Sequence, residues 1–281
     1  MCEFCVQHGE GKKWYLQAKN YAEDLVSDLR RRHFIADFFE HPEHLGRDSQ
    51  QMAKLRSAPP FVQRAIKGVV VRRMKKWHFG QVVPLEDIRD IFDFAGSIVR
   101  LPCICRHVTL GKEARYCYGV SMGTDGGKLG ELFRGLDSSF LSGPDTGGFE
   151  TLSREDALDS FTAHEREGLC HTIWTFVTPF VGGICNCDRA DCLAMRATVT
   201  HDLKLMFRAE YIATIDGDLC SGCRSCMRVC QFGAIGYSPT TRKARVDHSA
   251  CYGCGICRSA CTKGAVALTA RAEVPAASSL W

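Results

Sequence analysis

Two runs of cysteine near the C-terminus carry the clearest chemistry in this chain. Cys220, Cys223, Cys226 and Cys230 are spaced C-x2-C-x2-C-x3-C, and Cys251, Cys254, Cys257 and Cys261 repeat that spacing. Such short spacers gather three thiolates around one face of a cubane iron–sulfur cluster and leave the fourth ligand to come from further along the chain. The repeat extends beyond cysteine. Asp216 maps onto Asp247, Gly222 onto Gly253, Gly233 onto Gly264, Ala234 onto Ala265 and Ile235 onto Val266. That is the pattern of a duplicated unit with pseudo-twofold symmetry. Zinc accepts C-x2-C pairs, but two complete four-cysteine runs in an internal repeat point to iron. The chemistry is one-electron transfer, in which no side chain acts as acid or base.

On these motifs, residues 208–271 resemble the bacterial-type dicluster ferredoxins. The resemblance implies two [4Fe–4S] clusters with crossed ligation, the fourth cysteine of each run serving the other cluster. One cluster would then take Cys220, Cys223, Cys226 and Cys261, and the other Cys251, Cys254, Cys257 and Cys230. The chain departs from the family where proline usually follows the fourth cysteine. Gln231 and Thr262 stand there, which implies altered solvent access or potential rather than loss of the clusters.

Nine cysteines lie outside the repeat. Cys103 and Cys105 form one C-x-C, in Leu101–Arg106, and Cys185 and Cys187 form another, with Cys117 and Cys192 nearby in sequence. On a strand, residues i and i+2 share a face, so each C-x-C could offer two thiolates to one metal. Three readings stay open for these six: a further [4Fe–4S] cluster, zinc, or buried free thiols. Arg106, Arg189 and Arg196 would stabilise thiolate charge. Leu101–Arg106 and Ile184–Cys192 together also resemble the N-terminal regions of ferredoxin-type proteins of anaerobes, a likeness that implies no particular activity. Cys2, Cys5 and His8 form C-x2-C-x2-H, which is not a haem-attachment motif and is a weaker candidate for metal. Cys170 and His171 are adjacent, so on a strand they face opposite ways and do not make a nucleophile–base pair. His171 reads as a hydrogen-bonded core residue. The run from Gly123 to Gly130 lacks the Walker A pattern, because Met122 and Leu129 stand where Gly and Ser or Thr are required. It predicts a surface loop and no nucleotide or flavin site.

The bulk numbers bound the rest. The chain has 281 residues, 17 of them cysteine, and a formal charge of +4. Each bound [4Fe–4S] core with four thiolates subtracts about two charges, so two clusters bring the total near zero and the basicity argues for no nucleic-acid partner. The clustered spacing and odd number of cysteines favour metal over disulfides, and hence a reducing, cytoplasmic setting in an organism that lives with little oxygen. The start of the chain has no apolar leader segment, and no apolar run reaches transmembrane length.

These residues must be positioned by a scaffold, and the periodicity predicts an α+β one: a helix-rich N-terminal domain with a small sheet over 1–207, the dicluster domain over 208–271, and a polar tail over 272–281. Helices are expected over 12–40, with Trp14, Ala18, Tyr21, Leu25 and Leu29 on one face, and over 61–77, with Val62, Ile66, Val69 and Val70 inward. Others are expected from Pro84, from Ser153 to Gly168, and over 193–207. Strands are expected over 97–106, 115–122 and 169–177, with 123–148 and 184–192 as loops. Between Asp48 and Glu86 there is no acidic residue. The cations there, Arg72, Arg73, Lys75 and Lys76 among them, could dock an acidic redox partner or touch an anionic membrane surface. The function expected is electron transfer, as a subunit of a larger hetero-oligomeric oxidoreductase. The alternative is an iron–sulfur reductase whose N-terminal centre is the active site, fed by the ferredoxin-like domain.

Overall fold

The computed structural model describes residues 13–111, 114–136 and 149–280. Cys2, Cys5, His8 and Trp281 lie outside them. The architecture is α+β. A seven-stranded sheet has the order β4-β2-β3-β6-β5-β1-β7, from β1 (Gly80–Val82), β2 (Ser97–Leu101), β3 (Cys117–Ser121), β4 (Glu150–Leu152), β5 (Cys170–Thr175), β6 (Val181–Cys187) and β7 (Met206–Phe207). Neighbours run antiparallel except β1 and β7, which are parallel.

The sheet's two faces differ in chemistry because side chains alternate along each strand. Tyr118, Ile173 and Ile184 join one apolar core with Ile88, Ile91 and Phe92 of helix Leu85–Phe94 and Phe161 of helix Arg154–Arg166. Ser153 caps the second of these helices by accepting from the backbone N–H of Asp156 at 3.1 Å, and Gly168 closes it at φ +85°. The opposite face carries the cysteines. Cys117 pairs with Cys185 across β3 and β6, Cys185 with Thr172, and Cys187 with Cys170 across β6 and β5. Directly opposed residues of an antiparallel pair project from the same face.

Several expected elements are corrected. The 12–40 segment is not one helix. It forms 3-10 turns at Trp14–Leu16 and Ala18–Tyr21, a short helix at Glu23–Val26 and a longer one at Leu29–Glu40. Contacts far along the chain fix this shape: Trp14 Nε1 donates to Gln81, Tyr15 Oη donates to Asp87 at 2.5 Å, and Leu29 is left exposed. Strand β2 stops at Leu101, because Pro102 has no N–H for the ladder, and a helix runs over Ile104–Leu110. Residues 184–187 belong to strand β6, not a loop, and the helix expected over 193–207 ends at Val199. A helix at Gly127–Arg134 occupies part of the expected glycine-rich loop. Helix Pro60–Trp77 forms as expected, but Ile66 and Val69 are exposed rather than inward.

The remaining strands make two hairpin-like ribbons, β8 (Tyr211–Ile215) with β11 (Val266–Ala270) and β9 (Ile235–Ser238) with β10 (Lys243–Val246), alongside helices Ser225–Val229 and Ile256–Ser259. The duplication is visible in the bonding. Asp216 N donates to Ala265 O at 2.8 Å, and its mate Asp247 N donates to Ala234 O at 2.7 Å. Gly222 and Gly253 sit at φ +71° and +70°, and a Cβ on either would lie 2.2 or 2.1 Å from a backbone oxygen. Only glycine fits both the conformation and the space. Residues 271–280 are not a loose tail. Arg271 is buried, bonds both oxygens of Glu210 at 3.0 and 3.1 Å, and donates to the carbonyl of Ala277.

Candidate metal centres

The duplicated unit encloses two small cavities of about 20 Å³ each. Cys220, Cys223, Cys226 and Cys261 line one. Cys230, Cys251, Cys254 and Cys257 line the other. The backbone thus groups the thiols in the crossed pattern. The residues present also suit a negatively charged iron–sulfur core: the N–H groups of Ala234 and Ala265 donate to Cys230 and Cys261 Sγ at 3.3 Å, and Gly253 N donates to Cys251 Sγ at 3.4 Å. Such bonds stabilise thiolate charge and tune a bound cluster.

The two cavities have unlike surroundings. Cys223 is exposed, and hydrogen bonds from the backbone and hydroxyl of Ser225 lower its thiol to about 7. Its mate by the repeat, Cys254, is buried against the N-terminal sheet, where the Cys170 thiol donates to it. Around the second cavity, Phe232 stacks on Tyr252 at 4.1 Å, and the buried Arg208 lies 4.4 Å over the same ring and donates to Cys251 O. Gln231, which replaces the family's proline, acts as a clasp. Its Nε2 donates to Gly168 O at 2.8 Å, and its Oε1 accepts from Arg189 N at 2.9 Å. Thr262, at the matching place in the other half, is exposed.

In the N-terminal region, all six candidate cysteines meet. Cys103, Cys105, Cys117, Cys185, Cys187 and Cys192 line one cavity of about 60 Å³. The Sγ atoms of Cys103 and Cys117 are 3.1 Å apart, those of Cys117 and Cys185 3.3 Å, and those of Cys187 and Cys192 3.2 Å. The expectation for the C-x-C pairs holds for one only. Cys185 and Cys187 share a face of β6, whereas Cys103 sits just before the first turn of a helix and Cys105 lies in that turn. Cys192 likewise sits just before helix Leu193–Val199. Close contact with the Cys105 and Cys187 thiols, helped by the N–H groups of Met195 and Ala194, holds Cys192 well below an ordinary thiol. Cys103, by contrast, is pushed up by burial. Arg106 is buried beside them, 3.8 Å from Cys103 Sγ, paired with Asp188 and 4.2 Å over the Tyr116 ring. Burial disfavours its charge, but Cys103, Asp188 and Cys187 more than offset this and hold it protonated. Arg189 is exposed and its N–H serves Gln231. Among the described residues, no group of three or more His, Cys, Asp or Glu is arranged to hold a single metal ion.

Two residues near this cavity were not legible as part of it. His78 lines it, with Nδ1 2.7 Å from Thr175 O, and burial lowers its pKa to about 4. A lone histidine at a helix end gives no sequence signal. Cys170 is fully buried, opposite Cys187 on the sheet and in contact with Cys254. One apolar cluster contains Cys170, Cys187, Cys192 and Cys254 together. His171 faces away from them, as expected of a strand neighbour, with Nδ1 2.6 Å from Asn186 Oδ1. The glycine-rich run does form an anion nest, but the chain fills it: the Glu23 carboxylate accepts from Gly123 N at 3.2 Å and Lys128 N at 2.6 Å, and from Ser121 Oγ.

No helix among the described residues is long and apolar enough to cross a membrane. No curated protein matches the chain. Residues 219–266 match the family model of the 4Fe-4S dicluster domain, and the C-terminal region is therefore a dicluster ferredoxin-type domain.

Proposed function

We propose that this protein carries single electrons between a protein redox partner and a third, cysteine-ligated iron–sulfur centre in its N-terminal domain, through two [4Fe–4S] clusters held in the crossed arrangement. The observation that carries this reading is the contact series from the six-cysteine cavity to the ferredoxin-type domain: Cys187 faces Cys170 across the sheet, and Cys170 meets Cys254. The buried cluster would then hand electrons inward, and the cluster at the exposed Cys223 would exchange them with the partner.

The partner's chemistry follows from the surface there. Arg224 and Lys263 line the outer cavity, Lys243 Nζ donates to Cys220 O at 2.6 Å, and Arg228 donates to Ser225. Leu219, next to Cys220, is 54% exposed. A small apolar centre ringed by cations suits an acidic electron-transfer protein, docked by steering. Helix Pro60–Trp77 stays the second candidate: Lys75 there lies over the rings of Phe79 and Phe207, while Arg72, Arg73 and Lys76 are exposed. A place as subunit of a larger cytoplasmic oxidoreductase is compatible with it.

The test is iron and acid-labile sulfide per chain, on protein purified without oxygen. Iron clearly above the about eight atoms of two cubane clusters is expected, falling back toward eight in Cys185→Ser/Cys187→Ser. About eight irons in both proteins would end the third-centre proposal and leave the ferredoxin-type clusters alone.

A further inference from the structure

We propose that helix Pro60–Trp77 seats the protein on an anionic membrane surface, lying flat with its apolar half in the headgroup layer and its cations on the lipid phosphates. This is independent of what the six-cysteine cavity holds.

The helix has 18 residues, about 27 Å at 1.5 Å per residue. None of them is buried, and none is buried in the preceding helix, Pro42–Leu55. A helix of this length in a globular protein ordinarily buries one apolar stripe. Here the inner side is held at a few points. Val71 and Met74 pack, partly buried, against the apolar core on the sheet face opposite the cysteines. Trp77 meets the Phe34 ring at 5.5 Å, and Lys67 Nζ lies 3.9 Å from Asp202.

The outer side is apolar as well. Phe61, Ala65, Val69, Arg72 and Lys76 follow one another at three or four residues, so they share a face, and all five are exposed. Phe61 is 74% and Val69 65% exposed. Ile66 and Arg73, also exposed, flank this stripe. A Cβ placed on Gly68 would meet nothing within 4 Å. Among the described residues, then, no element covers the stripe. Its first half is apolar and its second half cationic.

Charge selects what covers it. No acidic residue stands between Asp48 and Glu86, so Arg72, Arg73 and Lys76 have no carboxylate on their own segment. A second copy of the chain would set this cationic face against itself. An acidic redox protein has to come near a cluster, whereas Val71 and Met74 rest the helix on the cysteine-free side of the sheet. A bilayer has no such requirement. It takes exposed Phe and Val side chains into the headgroup boundary and pairs Arg and Lys with lipid phosphates, the long stems of the cations lying along apolar surface. The relay would then work at a membrane surface.

The test is co-sedimentation of the full chain, purified without oxygen, with vesicles of phosphatidylcholine alone or with about one-third phosphatidylserine, at low and high salt. Sedimentation with the anionic vesicles at low salt is expected, with little on the neutral ones. Arg72→Glu/Arg73→Glu/Lys76→Glu and Phe61→Asp should each weaken it at least about tenfold, the first by removing the phosphate contacts and the second by removing the apolar insertion. Unchanged iron content checks that the variants are folded, and Val69→Ser reads the same apolar stripe at a second position. No sedimentation of the wild type with anionic vesicles at low salt would overturn the proposal. So would binding untouched by the triple charge reversal, which would place the lipid contact elsewhere. Binding lost in the triple variant but unchanged in Phe61→Asp and Val69→Ser would mean charge alone, and would return the helix to an acidic protein partner.

Discussion

Replacing Gln231 by the proline usual at that position tests how the ferredoxin-type domain is held on the N-terminal sheet. Its side chain spans two segments of the N-terminal region. The Gly168 carbonyl that accepts from it at 2.8 Å belongs to a buried residue, while Arg189, whose N–H it accepts at 2.9 Å, is exposed. Water can replace the second bond but not easily the first. A net hydrogen bond is worth about 0.5–1.5 kcal/mol, and a stranded buried acceptor costs about 1–3, so Gln231→Pro should destabilise docking by about 2 kcal/mol. That is roughly thirtyfold in the opening equilibrium. Thr262→Pro makes the same backbone change at the symmetry-related place without removing a clasp, and should be close to neutral. The assay is the rate of cluster bleaching in moderate urea under anaerobic conditions, since loss of a cofactor makes a rate more meaningful than an equilibrium midpoint. Gln231→Pro should bleach markedly faster than wild type, and Thr262→Pro should not. Equal rates for all three proteins would refute the clasp. Equal acceleration in both variants would assign the effect to proline itself.

Arg271→Met should cost about 3–5 kcal/mol, because it removes both guanidinium bonds to the buried Glu210 carboxylate, and adding Glu210→Met should recover much of the loss; the temperature at which the clusters bleach reads both. Glu23→Ala should expose the amides of Gly123 and Lys128 to fast hydrogen exchange. Partial burial alone would raise the Glu23 pKa, but hydrogen bonds from Ser121, Lys128 and Gly123 outweigh it and hold the group below its ordinary 4.5. Its stabilising effect is thus complete above pH 4.5 and lost as pH falls through the lower folded value, so in wild type the Lys128 amide should lose protection only on that acid side. Charge reversal at Arg224, Arg228 and Lys263 should slow electron exchange with an acidic donor by at least about tenfold at low salt, a difference that shrinks as salt screens it. Stopped-flow reduction at two ionic strengths measures this, and unchanged rates at low salt would exclude that face.

The parts of this molecule that could be read from sequence are those fixed by local spacing. The eight C-terminal cysteines sit on short spacers, so their grouping survives any error about the surrounding elements. The helices opened by Leu85 and Arg154 were legible because Pro84 and Ser153 mark their starts and one apolar stripe meets the core. Where tertiary contacts decide, periodicity failed. Trp14 and Tyr15 are pulled out of a helical path by Gln81 and Asp87, about seventy residues away in each case. The six N-terminal cysteines could be nominated by their spacing, but not their arrangement around one cavity, because that depends on Pro102 ending a strand and turning Cys103 and Cys105 onto a helix. His78 and Cys170 reach the site only through folding.

The duplicated domain has nearly the same backbone in both halves, and symmetry alone would give two interchangeable clusters. What breaks it is the residue set at matched positions. Cys223 is exposed where Cys254 is buried. Arg224, held at φ +64° with its guanidinium 3.9 Å over the Tyr237 ring, stands where the other half has Gly255, whose φ is +85°. A Cβ at Gly255 would come within 3.7 Å of Pro84 in the N-terminal region, so that half lies close against the neighbouring fold. The outer half can carry a large cation at this turn because solvent lies beyond it. Ser259, the last residue of the inner helix, donates to the buried Glu165 at 2.6 Å, and Arg258 pairs with Glu86 at 2.5 Å. The inner half is thus committed to the N-terminal sheet and the outer half to solvent. The two matched halves thus have an inside and an outside, which is the minimum the proposed relay needs to connect an external partner with a buried centre.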